Sequence, residues 1–119
     1  MNIKPLKPTL REKKRYIVYE IDTDDSLNMF EIQKDLLNQI SKLLGVFHLA
    51  EAGILPIKVD DKTKRGIIKV NHKFVDRIKA CFVMIKELNN KEIIIKSLGV
   101  SGILKKAINN YFLDNKDEQ

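Results

Sequence analysis

A chain of 119 residues has room for one compact core, and an apolar content of 44% is too high for a disordered chain. Lysine and arginine number 22 against 16 acidic residues, a net charge of +6 that points to a polyanionic partner. No apolar run approaches the roughly 20 residues of a membrane span, the basic start lacks the apolar stretch of a secretory signal, and the lone Cys81 cannot form an internal disulfide, so a cytoplasmic protein is expected.

Residues 1–14 carry Lys4, Lys7, Arg11, Lys13 and Lys14 against Glu12, and Pro5 and Pro8 disfavour a regular helix. The segment reads either as a basic extended arm or as a merely solvated leader. Residues 15–23 (RYIVYEIDT) are rich in β-branched and aromatic side chains and predict the first strand. The pattern then breaks, and Asn28 with Glu31 three residues on has the form of a helix cap. Ile32, Leu36, Ile40, Leu43 and Leu44 repeat at helical spacing and predict a helix whose core face they form. Gly45 is its expected stop, with a further helical turn or two over residues 46–52.

Residues 54–59 predict a second strand, residues 60–65 (DDKTKR) a polar turn, and residues 66–71 a third strand, so the pair reads as a hairpin. Phe74, Val75, Ile78, Phe82, Ile85 and Leu88 predict a second long helix, ended by residues 89–91. Residues 92–98 (EIIIKSL) predict a fourth strand. A last helix is expected from about Ser101 to Leu113, with Leu104, Ala107, Ile108 and Tyr111 on one face, before a polar tail over residues 114–119.

The order β-α-β-β-α-β-α predicts an α+β fold of the ferredoxin-like type: a βαββαβ antiparallel sheet with helices on one face, plus an additional C-terminal helix, forming one domain over residues 15–113. Strand alternation places Ile17, Tyr19, Ile21, Leu55, Ile57, Val59, Ile68, Val70, Ile93 and Ile95 on the core face. The other face takes Tyr16, Val18, Glu20, Lys58, Ile67, Lys69, Ile94 and Lys96, and the third helix is expected to cover part of it.

No catalytic constellation stands out. Cys81, His48 and His72 are not spaced as metal ligands or as a nucleophile with its base, and Cys81 reads as a small buried residue. Asp22, Asp24 and Asp25 read as a solvated, cap-forming acidic loop, with weak Mg²⁺ binding as the competing role. The segment Leu98-Gly99-Val100-Ser101-Gly102 is expected to follow a strand and open a helix. Glycines there permit close approach of a phosphate, Ser101 can donate a hydrogen bond, and Lys105 and Lys106 add charge. Capping of the last helix by Ser101 is the competing role. Ile67 and Lys69 occupy the third-strand positions where RNA-recognition motifs carry stacking aromatics, so contacts to RNA backbone are favoured over base stacking.

The leader Leu6-Lys7-Pro8-Thr9-Leu10-Arg11-Glu12-Lys13-Lys14-Arg15-Tyr16, the strand to Ile21 and the segment Ser97-Leu98-Gly99-Val100-Ser101-Gly102 together resemble the archaeal ribonuclease P protein component 2 family, counterpart of the eukaryotic Pop-five subunit. The resemblance implies a protein subunit of the ribonucleoprotein that removes the 5′ leader from precursor tRNA. It implies that the RNA subunit hydrolyses with Mg²⁺, and that the protein binds no cofactor or metal of its own. The implied partners are the ribonuclease P RNA, the TIM-barrel protein component 3 and a second copy of this chain within a heterotetramer, with precursor tRNA as the substrate of the complex and no membrane.

Candidate RNA contacts are Lys13, Lys14, Arg15, Lys105 and Lys106, with Lys62, Lys64 and Arg65 on the hairpin turn as weaker ones, and Gly99, Ser101 and Gly102 as the anion-binding turn. Apolar residues beyond the first helix's core stripe, among them Met29, Phe30 and Leu37, continue into Val46, Phe47 and Leu49. Phe47 and Leu49 are the candidate protein-interface anchors, unless the segment folds back and covers them itself. Two other readings of this fold class are a stand-alone acylphosphatase-like enzyme and a small-molecule regulatory domain.

Overall fold

The computed structural model describes residues 13–113, so most of the expected arm and the whole tail lie outside the described residues. Strand β1 spans Lys14–Asp22, helix α1 Met29–Leu44, helix α2 Val46–Ala52, strand β2 Leu55–Asp60 and strand β3 Arg65–Asn71. A 3-10 turn, His72–Phe74, leads into helix α3, Val75–Met84. A two-stranded ribbon of β4, Glu87–Leu88, and β5, Lys91–Glu92, precedes strand β6, Ile94–Ser101. Helix α4, Leu104–Ala107, continues as one π-helical turn, Ile108–Phe112.

The main sheet has the order β2-β3-β1-β6, and every neighbouring pair is antiparallel. Inserting β3 between β1 and β2 is the split βαβ arrangement of ferredoxin-like folds. Local signals set the first helix as expected. Asn28 Oδ1 accepts from the N–H groups of Phe30 and Glu31, and Gly45 ends the helix with φ 83°. A second tie comes from the β2–β3 turn, where Asp61 Oδ1 accepts the Met29 N–H at 2.8 Å.

Two apolar clusters sandwich the sheet. On one face Ile17, Tyr19, Ile21, Ile68, Val70, Ile93 and Ile95 pack with Ile32, Leu36 and Ile40 of α1 and Ile78, Cys81 and Phe82 of α3. On the other, Val18 and Ile67 pack with Ala107 and Phe112, flanked by Tyr16, Leu104, Ile108 and Tyr111. The last helix therefore covers part of the second face. Tyr19 Oη, buried between α1 and the sheet, accepts a hydrogen bond from Gln33 Nε2 at 2.9 Å.

Several expectations are corrected. Leu55 and Ile57 do not join the main core: the register shifts between Pro56 and Lys58, which turns Ile57 into the second cluster and leaves Leu55 exposed. Met29 is fully buried, whereas Leu43, expected on the core stripe, is partly exposed. Helix α3 stops at Met84. Ile85 and Leu88 are buried as predicted, but from the loop and ribbon that follow, where Asn89 and Asn90 turn the chain in the left-handed region. Strand β6 continues through Gly99 to Ser101, and the last helix starts only at Leu104.

Candidate nucleic-acid interface

Antiparallel pairing gathers distant residues at the two ends of the sheet. At one end lie the start of β1 and the ends of β3 and β6, since Lys14 pairs with Asn71 and Tyr16 with Ser101. At the other lie the end of β1 and the starts of β3 and β6, with Glu20 opposite Arg65 and Asp22 opposite Ile94. The candidate residues divide between these ends.

The first end holds Lys13, Lys14 and Arg15. The Arg15 guanidinium lies over Gly102, with Nη1 3.4 Å from where a glycine Cβ would stand. It donates to the Lys14 carbonyl at 2.9 Å, which fixes its orientation. Lys14 Nζ lies against Gly53, the left-handed cap that ends α2 with φ 57°. Lys105 and Lys106, at the start of α4, are exposed beyond Gly102. Lys69, Lys73 and Arg77 share this end, against Glu51 and Asp76. The arrangement concentrates positive potential where two strands and a helix converge, which suits a phosphate backbone. Lys69, Lys73 and Arg77 are not among the RNA contacts expected from the sequence. Their signal was present in Lys73 and Arg77 at helical spacing, but only the pairing of β1 with β3 places them beside Lys13–Arg15.

The turn expected to bind an anion takes a different form from the one its sequence suggests. Gly99 sits within β6, and the Tyr111 ring occupies the space where a side chain would start, so packing of the last helix accounts for a glycine there. Ser101 Oγ accepts from the Ile103 N–H and donates to the Ile103 carbonyl, both at 3.1 Å. It therefore shapes the turn into α4, whose cap position is Ile103 and has no side-chain capping bond.

Lys62, Lys64 and Arg65 stand at the opposite end, among Glu20, Asp22, Asp60 and Asp61. Lys64 closes the turn with φ 59° and donates to the Thr23 carbonyl at 2.7 Å. Thr63, whose hydroxyl and N–H both donate to Asp60 Oδ2, holds the Asp60 carboxyl below its ordinary range. Arg65 Nε donates to Glu20 Oε2 at 2.9 Å, and its Nη1 reaches the carbonyls of Tyr111, Phe112 and Leu113 at 3.1–3.4 Å. Those carbonyls end the last helix, so Arg65 clamps that helix to the sheet. Lys96 pairs with Asp22 at 3.2 Å.

No group of three or more His, Cys, Asp or Glu side chains is placed to hold a metal among the described residues. Burial raises the Cys81 thiol pKa. No helix among the described residues is long and apolar enough to cross a membrane. On α2, Phe47 is 85% exposed and Val46 82% exposed, while Leu49 is half-buried, so the segment does not fold back over Phe47.

The Rpp14/Pop5 family model matches residues 15–112, nearly all of the described fold. The chain belongs to the Rpp14/Pop5 family. It is 37% identical to ribonuclease P protein component 2 of Pyrococcus abyssi over 106 residues, covering 89% of this chain and 90% of that one. Identity to component 2 of Methanosarcina mazei is 30%, over 94% of this chain and 95% of the relative. A chain in the cryo-EM structure of yeast ribonuclease MRP has the same fold, with a TM-score of 0.59 and 23% identity over 81% of this chain and 78% of that one. These matches lend no support to a stand-alone acylphosphatase-like enzyme or a regulatory domain. Both the Rpp14/Pop5 membership and the ferredoxin-like sheet agree with the reading from sequence.

Proposed function

We propose that this chain is a protein subunit of ribonuclease P, the ribonucleoprotein that removes the 5′ leader from precursor tRNA, and that it acts by binding the catalytic RNA. Membership of the Rpp14/Pop5 family and the component 2 relatives support the assignment. The basic end of the sheet is the observation that carries the RNA-binding part. Lys13, Lys14, Arg15, Lys105 and Lys106 neutralise RNA phosphates there, each contact releasing condensed counterions and making affinity fall with salt. Lower repulsion between crowded phosphates helps the RNA hold its compact fold and the Mg²⁺ ions with which it hydrolyses. The protein contributes no catalytic group or cofactor of its own.

A second surface serves assembly. Phe47 with Leu49 on α2 is the anchor for a protein neighbour, either the TIM-barrel component 3 or a second copy of this chain in a heterotetramer. The complex works in the cytoplasm. Purification of the tagged chain from its own cells, with sequencing of the bound RNA and mass spectrometry of the bound proteins, tests this reading. Enrichment of ribonuclease P RNA with the TIM-barrel component is expected. A preparation that carries no enrichment of that RNA overturns it.

A further inference from the structure

The basic end of the sheet extends onto its helical side. The His72 N–H donates to the Lys13 carbonyl at 2.8 Å, which ties the 3-10 turn leading into α3 to the residue before β1. Lys73 and Arg77, four residues apart and both exposed, follow from that tie. The Arg77 guanidinium lies over the Phe74 ring, 5.0 Å from its centroid. Its Nη1 is 3.4 Å from Nδ1 of His48 on α2, and the His48 ring is tilted against Phe74 with centroids 6.2 Å apart.

Phe74 is itself buried, so the seat under Arg77 is fixed by the core. The ion pairs found among the described residues join Arg65 to Glu20 and Lys96 to Asp22, and neither involves Arg77. Seated over the ring with Nη1 directed at His48, the guanidinium has its remaining N–H donors for an outside acceptor. Holding it in advance lowers the ordering cost of binding, and its fork matches two oxygens of a phosphate.

We propose that Arg77, seated on Phe74 and His48 and supported by Lys73, binds a phosphate of the RNA backbone and carries the Lys13–Arg15 track onto α3. The proposal rests on the RNA-binding reading above. A polyanion uses the cations on both sides of the sheet's end together, whereas an acidic peptide would need only the Arg77 corner.

The full chain and a transcript of ribonuclease P RNA, with affinity measured by filter binding from about 50 to about 200 mM salt, test the proposal. Losing two phosphate contacts in Lys73→Gln with Arg77→Gln should flatten the log–log salt dependence by about 1.5 units. Arg77→Lys should keep most of the slope, because the charge remains, yet bind about 3- to 10-fold more weakly, because the fork is lost. That variant also keeps a cation on the ring, so it stays informative should the double variant fail to fold by circular dichroism. A steep wild-type slope left unchanged by the double variant overturns the proposal and leaves the RNA-binding reading standing. A shallow wild-type slope overturns both. A double variant that keeps the RNA slope but loses self-association or binding of the TIM-barrel component in sedimentation makes the cluster a protein contact, and the proposal falls.

Discussion

Replacing Arg65 should cost measurable stability, because this one side chain holds the last helix against the second face of the sheet. Replacing it with alanine removes the bond to Glu20 and the donors to the carbonyls of Tyr111, Phe112 and Leu113. A hydrogen bond to a charged group contributes about 1.5–3 kcal/mol when shielded, and a cation at a helix C-terminus about 0.3–1 kcal/mol. Arg65 and Glu20 side chains retain 18% and 27% exposure, so solvent screening reduces the Glu20 part. The sum is about 2–3 kcal/mol, which lowers the melting temperature of a domain this size by about 8–20 °C. Arg65→Lys keeps a charge but not the fork that spans Glu20 and the helix end, so it should lose at least half as much. Thermal melts followed by circular dichroism read both variants. An Arg65→Ala protein that melts within about 2 °C of the wild type would refute the clamp, since the smallest loss allowed by the geometry is several times that.

Gly66→Ala should destabilise by about 1–3 kcal/mol or more in urea unfolding, because the new methyl meets the buried Tyr19 ring and hydroxyl; an unchanged midpoint would contradict that packing. Burial raises the Tyr19 pKa well above its ordinary value of 10.0. Its contribution to stability is therefore fully present below pH 10 and is lost as pH rises from there toward the raised folded value, so Tyr19→Phe should flatten the alkaline loss of stability; a wild type with no loss above pH 10 would contradict this. Phe47→Ala with Leu49→Ala should leave the isolated chain folded and weaken self-association or binding of the TIM-barrel component at least tenfold, read by sedimentation. Undiminished association would remove α2 from the interface.

The elements written in local chemistry were legible in the sequence. The Asn28 cap, the Gly45 stop and the alternation of β1 are decided within a few residues, and the structure follows them. The end of α3 was not, because Ile85 and Leu88 continue the helical spacing of Phe82 while reaching the core from the loop and ribbon after the helix. Asn89-Asn90 was the local signal for that turn, and apolar periodicity outweighed it. The glycines of β6 suggested a loop. Pairing with β1 and the Tyr111 ring on Gly99, both long-range, make it strand instead. The slip at Pro56 moved Ile57 to the other face for the same kind of reason: a bulge is set by the partner strand, and alternation within β2 does not reveal it. At the candidate interface, Lys13–Arg15 and Lys105–Lys106 could be picked out as charge runs. That they share an end with Arg77, and that Arg65 stands at the other end clamping a helix, depends on strand pairing.

In the proposed division of labour the RNA cleaves and this protein supports it. Cleavage of precursor tRNA at the 5′ leader junction, measured across a Mg²⁺ titration, tests it most directly. The three samples are the full chain alone, ribonuclease P RNA alone, and that RNA with the full chain and the proposed TIM-barrel component. No cleavage by the protein is expected at any Mg²⁺ concentration, and the RNA should require less Mg²⁺ when the proteins are present. Cleavage at the junction by RNA-free protein, or an RNA whose Mg²⁺ requirement the proteins leave unchanged, would contradict it.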